Sequence, residues 1–72
     1  MTEYRKITRK LHKLFDTNKL QKELHNYGRI THDNIDDESS IRHTTFIYKG
    51  YTVELIMVDG KNNSFNIYND KL

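Results

Sequence analysis

The sequence predicts an α+β domain, with an N-terminal helix or helical hairpin packed on a three-stranded antiparallel β-meander. Three observations predict it. Apolar residues recur at helical spacing before residue 28, β-branched and aromatic residues fill three runs after residue 40, and the turns Lys49-Gly50 and Asp59-Gly60 separate those runs. The chain of 72 residues is expected to form one domain, helical over 1–27, an acidic connecting loop over 28–40 and a meander over 41–69.

In the helical part, Tyr4, Ile7, Leu11, Leu14 and Phe15 fall on one face. Leu20, Leu24 and Tyr27 are helically spaced among themselves, but in an unbroken helix they would point almost the opposite way. Either the helix breaks at Asp16-Thr17-Asn18, with Asn18 and Gln21 as a variant capping box, or one long helix buries a second face against another subunit. The break is favoured. Gly28 is the expected stop, in a left-handed conformation. Within the acidic loop, Arg29-Ile30-Thr31-His32 has the makings of a short strand.

In the meander, the runs 41–48, 51–58 and 64–68 read as strands. A two-residue turn at Lys49-Gly50 pairs Tyr48 with Tyr51 and Phe46 with Val53. A five-residue loop opened by Asp59-Gly60 pairs Met57 with Phe65 and Leu55 with Ile67. One face then holds Phe46, Tyr48, Tyr51, Val53, Leu55, Met57, Phe65 and Ile67 for the helix to cover. The opposite face is mixed: His43, Thr45, Ile47, Thr52, Glu54, Ile56, Val58, Asn66 and Tyr68.

Composition narrows the classes of function. A chain this short with 35% hydrophobic residues has a thin core, and without cysteine it has neither disulfides nor thiolate metal sites. Self-association or a binding partner is therefore expected, and Leu20, Leu24 and Tyr27 are the candidate homodimer contacts. No apolar run is long enough for a membrane span, and the first residues do not read as a signal peptide, so a cytoplasmic location is expected. The absence of Ala, Pro, Trp and Cys beside abundant Lys, Asn, Ile and Tyr points to an AT-rich coding genome, such as that of a low-GC bacterium or its phage.

Charge is segregated. Residues 1–27 carry a net +4, residues 28–40 a net −3 and residues 41–72 a net +1. Arg5, Lys6, Arg9, Lys10 and Lys13 form a basic stripe opposite the apolar helix face, suited to phosphates or to an anionic protein surface. Asp33, Asp36, Asp37 and Glu38 form an acidic patch without the alternation and central glycine of a calcium loop, and are candidates for a basic partner. The histidines His12, His25, His32 and His43 show no i, i+4 metal spacing, and neither metal nor cofactor is expected. His43 and Glu54 share a predicted sheet face and, with Arg42 and Tyr68, are the candidates for acid–base chemistry on RNA.

The helix-then-strands order is similar to that of double-stranded-RNA-binding domains, whose closing helix has no counterpart here. It is also similar in layout to small bacterial ribonuclease toxins, without their diagnostic residues. Both are likenesses of topology and imply no activity. The leading expectation is a non-enzymatic protein-binding accessory or inhibitor factor, of phage or mobile-element origin. The alternatives are nucleic-acid binding through the basic stripe and a small ribonuclease-type toxin.

Overall fold

The computed structural model describes residues 2–70 and has two helices and one four-stranded sheet. Helix α1 spans Glu3–Asp16 and α2 spans Leu20–Tyr27. The strands are β1 (Arg29–Asp36), β2 (Ile41–Tyr48), β3 (Tyr51–Val58) and β4 (Lys61–Ile67), antiparallel in the order β1-β2-β3-β4.

Thr2 starts α1 by accepting the Arg5 amide at 3.2 Å. The helix ends where the break is expected, but Asn18 plays a different part. It adopts φ 61°, its amide reaches the Phe15 carbonyl at 3.1 Å, and the next amide, of Lys19, reaches the Leu14 carbonyl at 2.7 Å. That paired 6→1 and 5→2 closure is a C-terminal cap of α1, and Asn tolerates its left-handed residue. The expected capping box is therefore absent: the residue before α2 is Lys19, with no side-chain cap.

The break reorients the second apolar set. Leu20 and Leu24 are fully buried in this chain's own core, so the rotation that suggested a second subunit is absorbed by a new helix axis. Tyr27 alone of that trio stays exposed, at 71%. Gly28 does terminate α2, but at φ −104°, ψ 170° it is extended and not left-handed. Glycine is needed there because a Cβ would lie 2.6 Å from the Leu24 carbonyl oxygen.

The sheet has four strands, one more than expected. The segment 28–40 is mostly strand: Arg29–Asp36 pairs with β2 along its length, with a bulge at Thr31 between the Ile30–Phe46 and His32–Thr45 pairs. Its hydrophobic pattern is too sparse to announce a strand, because only β2 lies beside it and every one of its residues is exposed. The helix–helix–four-strand order thus departs from the helix–three-strand likeness.

Both remaining turns are two-residue hairpins. Lys49 and Gly50 have φ 53° and 87°, and Asp59 and Gly60 have φ 53° and 76°, the positive pair that matches strand twist. The β2–β3 pairs are those expected, Tyr48 with Tyr51 and Phe46 with Val53. The β3–β4 register differs by two: Phe65 faces Leu55 and Ile67 faces Val53. The chain turns at once into β4 and absorbs the extra residue as a bulge at Asn63 instead of lengthening the loop. A shift of two keeps every side chain on its face, so the apolar face survives.

That face is the core. Phe46, Tyr48, Val53 and Leu55 meet Ile7, Leu11, Leu20 and Leu24, with Tyr4, Leu14, Phe15, Phe65 and Ile67 packed around them. Complete burial of a Leu or Phe side chain stabilises by about 1.5–3 kcal/mol. Both helices lie on this face, which leaves the other open across the strands. Among the described residues no helix is long and apolar enough to cross a membrane.

Candidate functional site

Three surfaces carry the polar chemistry of the chain. The first is the basic side of α1. Arg5, Lys6, Arg9 and Lys13 are exposed, and none forms an ion pair with another described residue. Lys10 differs from them. Its Nζ lies 3.1 Å from Glu23 Oε2, the same oxygen that accepts the Tyr48 hydroxyl at 2.6 Å. This contact joins α1, α2 and β2. Hydrogen bonding from Tyr48, and then the Lys10 pair, hold the Glu23 carboxyl below its usual range, while the same carboxylate raises Lys10. Burial is the main cause that raises Tyr48. Lys10 is therefore tied to the fold, unlike the other four predicted basic residues.

The second surface is the acidic segment, which the fold divides. Asp33 lies on β1 and accepts Arg42 twice, from Nε at 3.0 Å and from Nη2 at 2.6 Å, and also the Thr44 hydroxyl at 3.0 Å. The Arg42 fork is the main cause that lowers its pKa. Asp36 accepts the Glu38 amide at 3.1 Å and shapes the β1–β2 turn. Asp37 and Glu38 are exposed in that turn. Among the described residues no group of three or more His, Asp or Glu side chains converges on a metal-sized site. A cleft beside the turn, between the start of α2 and the sheet, is lined by Gln21, Ile35, Asp37, Arg42 and Met57 among others.

The third surface is the open sheet face. At its centre His43 Nε2 lies 2.6 Å from Glu54 Oε2, a diagonal cross-strand pair between β2 and β3. The Tyr68 hydroxyl is the largest cause that lowers the pKa of that carboxylate; His43 adds to it. Tyr68 rises in return. Three of the four predicted acid–base residues thus meet. Arg42 does not join them, because strand alternation sends it to the covered face and to Asp33.

Around this polar centre, β2 and β3 present Ile41, Thr45, Ile47, Thr52, Ile56 and Val58, with Glu54 the single formally charged residue those two strands place there. Ile41 is 39% and Tyr68 44% exposed. The sequence names these residues as the mixed face but says little about their being a site. Alternation places them together, and only the one-sided helix layer leaves them uncovered. The other histidines have structural surroundings: His12 packs edge-on against Phe65 at 4.8 Å and His25 against Phe46 at 5.2 Å. His32 is exposed, with Nδ1 3.2 Å from the Thr31 hydroxyl. Set beside protein-family models, curated proteins and solved structures, the chain matches none of them.

Proposed function

We propose that the chain is a non-enzymatic protein-binding module, an accessory or inhibitor of a partner protein, and that the open sheet face is its docking surface. The observation that carries this is the one-sided helix layer. A four-stranded sheet is left bare on a face whose two central strands carry aliphatic residues and one formal charge. An uncovered apolar face with a polar centre has the anatomy of a protein interface. Tyr68, 44% exposed on the same face, is the anchor of the type that dominates such contacts. His43 and Glu54 hydrogen-bond each other, which favours an ordered polar patch over an acid and a base each aimed at substrate.

A specific observation favours one second reading. Arg5, Lys6, Arg9 and Lys13 line one side of α1 without ion pairs to other described residues, an arrangement suited to phosphates.

The test is affinity capture from the source cell with three baits: the wild type, Ile56→Lys/Tyr68→Ala on the open face, and Arg5→Ala/Arg9→Ala on the basic face. A protein retained by the wild type and the basic-face variant, lost with the open-face variant and rebound as a purified pair, supports the first reading. Retention that ignores the open-face variant overturns it. Binding of mixed-sequence DNA or RNA that weakens steeply with salt, and is lost in the basic-face variant, would establish the second reading instead.

A further inference from the structure

The edge of the sheet at β1 has a property that the open face does not: it is complementary to itself. β1 pairs with β2 on one side only, and all eight of its residues are exposed. Half of its backbone donors and acceptors therefore face away from the sheet. Faces alternate along the strand once the bulge at Thr31 is counted as one position with its neighbour. Arg29, His32, Asn34 and Asp36 lie on the open face, and Ile30, Asp33 and Ile35 on the covered face.

A two-fold axis perpendicular to the sheet makes two such edges antiparallel and keeps each face continuous. Centred on Asp33, it sets Arg29 against the second copy's Asp36 and Ile30 against its Ile35, each pair occurring twice, with His32 against Asn34. Opposite charges meet at both ends and isoleucines meet just inside them. The two Asp33 side chains meet at the axis. Each is already bound to its own Arg42 at 2.6 Å, so two ion pairs meet there and not two bare carboxylates. Centring the axis one position to either side sets Ile30 against Asp33 or Ile35 against Asp33, and the match is lost.

We propose that the chain forms a homodimer through β1, paired edge to edge about Asp33 into one continuous eight-stranded sheet. This contact uses a surface separate from the open face and places two copies of that face side by side. A bulge and an inward-pointing acid are also devices by which proteins block edge pairing. Here Arg42 neutralises the acid, and two-fold pairing consumes both β1 edges, so assembly through β1 stops at two.

Sedimentation equilibrium of the full chain tests the state, and substitutions test the register. The expected result is a concentration-dependent species of twice the 8.7 kDa chain mass. Arg29→Asp alone and Asp36→Arg alone each weaken the dimer by about tenfold in Kd, and the double swap restores it. Asp36 also shapes the β1–β2 turn, so a second arm avoids it. The chain has no cysteine, and paired residues across antiparallel strands lie within disulfide reach, with Cα atoms about 4.5–5.5 Å apart. Oxidising Ile30→Cys chains mixed with Ile35→Cys chains gives a crosslinked pair, and neither variant crosslinks alone. A single 8.7 kDa species up to millimolar concentration overturns the proposal. So does a dimer whose crosslinks form equally without mixing.

Discussion

On the covered face Glu23 accepts Tyr48 at 2.6 Å and pairs with Lys10 at 3.1 Å; on the open face Glu54 pairs with His43 at 2.6 Å, and Tyr68 is the largest cause that lowers its pKa. The two clusters use the same chemistry, a carboxylate shared by a phenol and a base. Their surroundings differ. Tyr48 is fully buried and its cluster spans both helices and the sheet, whereas Tyr68 is 44% exposed and its cluster spans neighbouring strands only. The comparison teaches that the covered cluster locks layers together, while the open one orders side chains on a surface that the fold itself does not need.

The largest test of that contrast is a pair of neighbours in β2. Phe46→Ala empties a fully buried site and should cost about 3–5 kcal/mol, enough to unfold much of a domain this small. Ile47→Ala, on the open face, should cost roughly 1 kcal/mol or less in urea denaturation followed by circular dichroism. Equal losses would mean that something covers the open face in solution. Next come the two phenols. Tyr48→Phe leaves Glu23 with Lys10 alone and should cost about 1–2 kcal/mol, while Tyr68→Phe should cost clearly less. The reverse ranking would break the comparison.

The smallest effect is shared by both faces. Glu23 and Glu54 have folded pKa values below their usual ones, so each binds fewer protons folded than unfolded. Their stabilisation is fully present above the usual carboxylate range and is lost as pH falls below that range through the depressed values. Glu23→Gln and Glu54→Gln should each lower stability near neutrality and flatten the acid limb of a pH–stability curve. If only Glu23→Gln does so, the open-face cluster contributes no net stability.

Much of this fold is legible in the sequence. The apolar positions of α1, the break after Asp16 and the hairpin at Lys49-Gly50 follow from local spacing and turn chemistry. The core face of β2 to β4 follows from alternation, which a two-residue error in the β3–β4 register leaves intact. β1 is less legible, because a strand held by one neighbour, with every residue exposed, has little apolar alternation to display. The open-face site is half legible: His43, Glu54 and Tyr68 share a face by alternation, but nothing in their spacing says that the face is bare.

What the sequence by itself determined is therefore which residues share a face, since faces are written in periodicities of two and of about 3.6 residues. The tertiary structure alone decided which polar groups meet and which apolar face is covered by the chain's own core. It took Lys10 from the basic stripe for Glu23, Asp33 from the acidic patch for Arg42, and Leu20 and Leu24 from a supposed interface into the core. The reason is physical. Shared faces follow from local backbone geometry, whereas each of these contacts joins residues on different elements. Their distances are set only when the helices settle on one face of the sheet and leave the other open.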